Sequence, residues 1–229
     1  MMNETSGTSG AAMQRHASDH TPVSPGSAAH GEIEILEEHD AWCCDTARLA
    51  VARVRIPPHD GAAATEREVF RLAHAPGQDD GVVIVPLDEA NRIILIRQFR
   101  HPVRMWMREL PRGGRKQGES VRACAARELR EELGLDLVEC HTLGRMATDS
   151  GQQESLPHLV LARVRGGREP RREPIEVIDG TFRYSYGELR KSCERGDIID
   201  SFTLVAALRL APHWDGDTLK IDSARSTRM

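Results

Sequence analysis

Apolar residues along this chain recur with two different periods, and the change of period marks its elements. Residues 81–87 (GVVIVPL) and 93–96 (IILI) are short apolar runs separated by 88–91, where Asp88 and Asn91 suit a turn, so they read as two strands. Upstream, 32–36, 49–56 and 69–74 are alternating or apolar segments broken by Pro57-Pro58 and Gly61, and they read as a small layer of strands. From Ser120 onward the period lengthens. Val121, Ala125, Leu129 and Leu133 recur every fourth residue, and neither proline nor glycine intervenes before Gly134. Ser120 suits a helix N-cap and Gly134 the left-handed residue past a helix end. The spacing predicts a glycine loop over 113–119 feeding a helix of about three to four turns.

Three carboxylates, Glu128, Glu131 and Glu132, fan over an arc of about 100° beside that apolar stripe, with Glu132 inside its edge. Acidic groups so close repel one another, and a half-buried one neutralises by a raised pKa unless a cation offsets it. Arg127 can supply part of that charge, but a hard divalent ion with oxygen ligands, Mg²⁺ or Mn²⁺, is the better fit. Most runs of Glu and Arg on a helix are only solvated faces. Here the surroundings decide: Gly113, Glu119, Arg127, Glu128, Glu131, Glu132 and Gly134 stand at fixed spacings. A chance match at seven specified places is expected less than roughly once in ten million windows.

That pattern is the Nudix box, and the chain resembles the Nudix hydrolase family. Around the box, Arg97-Gln98-Phe99-Arg100, Pro102 and Glu109-Leu110-Pro111, and the later string GDIIDSFTL over 196–204, are similar to the branch that hydrolyses ADP-ribose and nucleotide sugars. The resemblance implies an α/β fold, a Nudix α/β/α sandwich with a mixed sheet, preceded by a small N-terminal antiparallel β layer. It implies an enzyme that splits the diphosphate of a nucleoside diphosphate-linked small molecule into a nucleoside monophosphate and a sugar phosphate. Glu128, Glu131, Glu132 and the backbone carbonyl of Arg112 are the implied ligands of Mg²⁺ (or Mn²⁺), with Arg127, paired to Glu119, orienting the glutamates. Arg100 is the implied phosphate contact, and Glu109, the Arg112 side chain and Trp106 are further candidate substrate contacts. The general base falls to Glu154, with Glu176 and Asp179 as alternatives. Trp42 and Phe70 join Trp106 as candidate base platforms, and a homodimer is implied.

Two departures from the branch stand out. Arg112 occupies a place where the branch has a small residue, and Ser150, in Thr148-Asp149-Ser150-Gly151, stands where ADP-ribose hydrolases tend to carry proline. The second weakens ADP-ribose as the specific substrate and leaves nucleotide sugars open. A non-catalytic Nudix-fold sensor is a rival, although sensors usually lose box carboxylates and this chain keeps them. A nucleoside triphosphate pyrophosphohydrolase is another, disfavoured by the Gln98-Phe99-Arg100 and Glu109-Leu110-Pro111 strings.

Charge and composition narrow the rest. The net charge of −4 offers no field to gather nucleic acid, and the basic run Arg163, Arg165, Arg168, Arg171 and Arg172 reads as a solvated loop without interleaved aromatics. Five cysteines, with Cys43 and Cys44 adjacent, form neither a disulfide framework nor a C-x-x-C metal motif, and the histidines show no ligand spacing. The Ser-, Gly- and His-rich segment 1–30 is expected to be a disordered tail. The strand layer is placed at 31–76, the Nudix domain at 77–212 and a flexible tail at 213–229. No run approaches the ~18 apolar residues of a membrane span and none has the form of a signal peptide, so no membrane partner and a cytoplasmic location are expected.

Overall fold

The structure, a computed structural model, describes residues 33–58, 61–172, 176–215 and 218–220. The tail expected over 1–30 lies outside the described residues.

β1 (Glu34–Cys43), β2 (Ala47–Ile56) and β3 (Thr65–His74) form a three-stranded sheet in that order. β1 runs well past its expected end through the polar residues Glu37, Glu38, His39 and Asp40, and cross-strand ion pairs rather than burial accompany it. Arg55 donates to Glu34 at 2.7 Å and to Glu66 at 3.1 Å, while Arg48 meets Asp40 at 2.6 Å. The described chain divides into two compact units, 33–37 with 52–68, and 38–51 with 69 onward. The division between these units falls within β1, β2 and β3.

The larger sheet is built from β4 (Gln78–Leu87), β5 (Ile93–Arg100), β6 (Met105–Glu109), β7 (Arg112–Lys116), β8 (Asp136–Arg145), β9 (His158–Arg165) and β10 (Ile178–Tyr184). Its order is β10-β5-β4-β9-β8, with β6 paired to β5 and β7 to β4. β4 and β9 run parallel and the other pairings are antiparallel, so the sheet is mixed. Strand alternation sorts its core residues between two layers. Val82, Ile84 and Ile94 pack under α1 (Val121–Glu132) against Val121, Ala125 and Leu129. Val83, Val85, Leu87, Ile93 and Leu95 face the other way, with Leu189 of α2 (Tyr186–Glu194) and Ala206 and Leu210 of α3 (Ser201–Leu210). Helices on both faces of a mixed sheet make the α/β/α sandwich.

Three sequence expectations change. Residues 113–116, expected to open a glycine loop, belong to strand β7, because β4 offers an edge on which Val83 pairs with Arg112 and Val82 with Gly113. The basic run is only partly loop: Arg163 and Arg165 belong to β9, and Arg172 donates to the Ile178 carbonyl at 2.8 Å. Beyond residue 212, Trp214 stacks on Tyr186 at 5.2 Å, and Trp214–Asp215 pairs with Thr218–Leu219 where a flexible tail was expected. No helix among the described residues is long and apolar enough to cross a membrane.

Candidate functional site

α1 begins where its sequence says it should: the Ser120 hydroxyl accepts from the Ala123 amide at 3.1 Å. It ends at Gly134, whose φ of +67° is left-handed. Seating the apolar stripe on the sheet carries Glu128 and Glu132 inward with it, to 4% and 1% exposure. β7 runs over the first of them, and a Cβ on Gly113 would overlap the Glu128 carboxylate. Only glycine lets the strand pass so close. Gly113→Ala is expected to displace Glu128 or β7 and to cut turnover by about 10²-fold, a misplacement effect, with a smaller loss of melting temperature. Steady-state rates and thermal melts of the variant measure both.

Glu176 arrives from the segment before β10. One carboxylate oxygen each of Glu128, Glu132 and Glu176 lie within 4.8 Å of one another. Burial raises the Glu128 carboxyl to about 7, against the lowering influence of Arg127. Burial, reinforced by Glu176 and then Glu128, raises Glu132 to about 9. The Glu132 Oε2 atom is buried without a hydrogen-bond partner among the described residues. Three converging carboxylates, one with an orphaned oxygen, form a donor set suited to a hard divalent cation, which needs oxygen ligands and would hold these groups ionised.

Arg127 ties the box together. Its guanidinium donates to Glu128 at 2.6 Å, Glu131 at 2.9 Å, Glu119 at 3.2 Å and the Gly114 carbonyl at 2.7 Å. Glu131 is thus held by Arg127 and lies outside the three-carboxylate cluster.

A second network adjoins the first. Glu109 is fully buried and receives a forked pair of bonds from Arg100, the Nε arm at 3.1 Å. Arg112 reaches the same carboxylate at 3.4 Å, donates to Asp200 at 2.8 Å and lies 4.2 Å over the Phe202 ring. Asp200 caps α3, accepting from the Thr203 amide at 2.9 Å. A cavity of about 360 Å³ opens beside this network, with Arg100, Arg112, Gly113, Gly114, His74 and Phe202 in its wall.

The expected residues do not all converge. Glu154 is occupied on β3: its carboxylate accepts from Arg71 and from the His74 amide at 2.9 Å, and Leu72 bonds the flanking backbone. Asp179 is paired with Arg97. Trp106 is placed on the sheet face opposite Arg100, since it pairs with Phe99 in β5 and adjacent strand residues alternate. The Arg112 side chain, a candidate substrate contact, is mostly engaged by Glu109 and Asp200. Asp200 and Phe202 were missed as site residues, although the 196–204 string that holds them was visible.

Residues 77–197 match the NUDIX domain. The methanol dehydrogenase activator of Bacillus methanolicus is 30% identical over 180 residues, spanning 76% of this chain and 90% of its own length. The ADP-ribose pyrophosphatase of Mycobacterium tuberculosis is 32% identical over 162 residues, spanning 68% of this chain and 72% of its own. A solved ADP compounds hydrolase superposes with a TM-score of 0.66 at 20% identity, covering 79% of this chain and 93% of that one, a likeness of fold. A domain match over more than half the chain, relatives aligned over most of their length and the mixed sheet with its box helix agree: this chain belongs to the NUDIX family and is a hydrolase of pyrophosphate bonds.

Proposed function

We propose that the chain hydrolyses the diphosphate of ADP-ribose or a related nucleoside diphosphate sugar, releasing a nucleoside monophosphate and a sugar phosphate. The observation that carries this reading is the convergence of Glu128, Glu132 and Glu176 within 4.8 Å, next to the Arg100–Glu109–Arg112 network and its cavity. The similarity to relatives that include an ADP-ribose pyrophosphatase supports the substrate class.

In this proposal Glu128, Glu132 and the Arg112 carbonyl would hold Mg²⁺ or Mn²⁺, which when bound supplies charge neutralisation at the diphosphate and acidifies water. Arg127 fixes the rotamers of Glu128 and Glu131 through its four-way bonding. Arg100, held in plane by the buried Glu109, presents its outer edge to a phosphate. Glu176 receives the proton of the attacking water. That water forms the new P–O bond, and the bridging oxygen leaves on the other phosphate. Its position favours Glu176 for the base, since its carboxylate converges with those of Glu128 and Glu132, whereas Glu154 and Asp179 lie outside that cluster.

Glu176→Gln is therefore expected to lower kcat by about 10²-fold or more with little change in KM, while Glu154→Gln stays within a few-fold of wild type. The reverse pattern would return the base to Glu154. The broader test is phosphate release, with a coupled phosphatase, from ADP-ribose, nucleotide sugars, dinucleotides and nucleoside triphosphates in Mg²⁺ or Mn²⁺. Preferential cleavage of the triphosphates, or binding without turnover, would overturn the proposal.

A further inference from the structure

The sheet face turned away from the carboxylate cluster carries a second set of side chains that the reaction does not use. β5 and β6 pair Phe99 with Trp106 and Arg97 with Arg108, and alternation puts these four opposite Arg100 and Glu109. Phe182 and Tyr184 of β10, paired with Leu95 and Ile93, share their face. Rings and guanidiniums interleave there. Arg97 lies 4.7 Å over the Trp106 ring, Arg104 is 5.5 Å from the Phe99 ring, and Arg108 is 4.6 Å over Phe182 while donating to the Tyr184 hydroxyl at 3.1 Å. Phe99 meets Trp106 edge-on at 5.6 Å. A groove of about 430 Å³ runs past Trp106, Arg97 and Arg108 and is walled on the far side by Asp197 and Ile199, ahead of α3.

We propose that this groove is a second nucleotide-binding site, in which a nucleobase stacks on Trp106 and the attached phosphate meets Arg108. Trp106 remains 40% exposed and Ile199, across the groove, 54%. Indole and aliphatic wall thus offer apolar faces to a flat ring. The Trp106 ring is already braced by Phe99 and by Arg97, whose own charge is taken up by Asp179, so little freedom is lost on stacking. Arg108 has no carboxylate partner among the described residues, which leaves its charge for an anion. Asp197 is bonded by Arg195 at 2.6 Å, which offsets its repulsion of a phosphate. Arginine interleaved with aromatic rings is the arrangement that takes bases by their π-faces and phosphates by charge, without choosing among bases. The volume is that of a small-molecule site. Because the sheet separates this groove from the carboxylate cluster, its ligand is not the diphosphate being cleaved. The inference is independent of the substrate proposed above.

The test is equilibrium dialysis of AMP against the full chain in EDTA, where there is neither a diphosphate to split nor a metal to bridge phosphate to the glutamates. Saturable binding is expected. Trp106→Ala should weaken it by about tenfold or more, and Arg108→Gln by about threefold to tenfold, while Trp106→Phe retains most of it and Glu132→Gln leaves it unchanged. Trp106→Phe and the circular dichroism of each variant separate lost stacking from lost folding. A twelve-nucleotide oligoadenylate bound about tenfold tighter than AMP identifies the ligand as single-stranded nucleic acid, and equal affinity identifies a free mononucleotide. Absence of saturation up to about 5 mM AMP overturns the proposal, as does binding lost in Glu132→Gln but kept in Trp106→Ala.

Discussion

Glu132→Gln is expected to reduce turnover by about 10³-fold or more and, in metal-free protein at pH 8, to raise the melting temperature by about 5 °C. Both effects follow from a carboxyl that is 1% exposed and carries an oxygen with no partner among the described residues. Burial, with Glu176 and Glu128 nearby, raises its pKa to about 9 from an ordinary value near 4.5. Between those limits the metal-free folded chain binds more protons than the unfolded one. Stability due to this group is therefore complete below about pH 4.5 and is lost as pH rises toward 9, on the order of a few kcal/mol by pH 8. Glutamine has the same shape and no charge, so it removes that loss and with it the metal ligand. The melting-temperature advantage of the variant should vanish near pH 4.5. Mn²⁺ should raise the melting temperature of wild type much more than that of the variant, and more at pH 8 than at pH 6, since ions and protons compete for the same oxygens. Differential scanning fluorimetry across pH, with and without Mn²⁺, reads all of this. Equal melting of the two proteins at pH 8 without metal would mean that the Glu132 charge is already compensated in the folded chain.

The same helix shows why some of the site was legible in sequence and some was not. Ser120, the four-residue spacing of Val121, Ala125 and Leu129, and Gly134 are local signals, so the helix and the inward lean of Glu132 follow from periodicity alone. Glu131 belongs to the same motif but sits farther round the helix from the apolar stripe, and its half-buried carboxylate lies outside the cluster that the buried Glu128 and Glu132 form with Glu176. Glu176 and Asp200 lie far along the chain and come to the site through β10 and the α3 cap, contacts that local pattern does not encode. For Glu154 the family resemblance pointed toward the reaction, while the fold gives its carboxylate to Arg71 and the His74 amide. Trp106 fails for a different reason. Residues 105–109 lack an apolar alternation, so no strand was expected there, and without a strand and its register the face of Trp106 could not be known. The glycines of β7 look like a loop until β4 is available to pair with them.

Arg112→Met is expected to cost about 3 kcal/mol of stability, a fall of roughly 8 °C in melting temperature, while changing metal affinity by no more than about threefold. A carbonyl ligand is supplied by any residue at this place, so the backbone role proposed for Arg112 survives the substitution. The side chain is different. It spans Glu109 and Asp200, which are 0% and 4% exposed, and rests on Phe202, so its guanidinium links β6, β7 and the start of α3. Methionine keeps much of the contact with Phe202 and removes the charge, leaving Glu109 with Arg100 alone and Asp200 with its Thr203 bonds. Removing one partner of a buried ion pair strands the other, which is why the loss should exceed that of an exposed pair. Adding Asp200→Asn should cost less in the Arg112→Met background than in wild type, because the acceptor is by then already without its cation. Denaturant melts of the two single variants and the double variant measure that coupling. Unchanged stability together with a KM raised about 100-fold would instead give the Arg112 guanidinium to the substrate, and the small residue usual at this place in the branch would then mark a difference in what is bound.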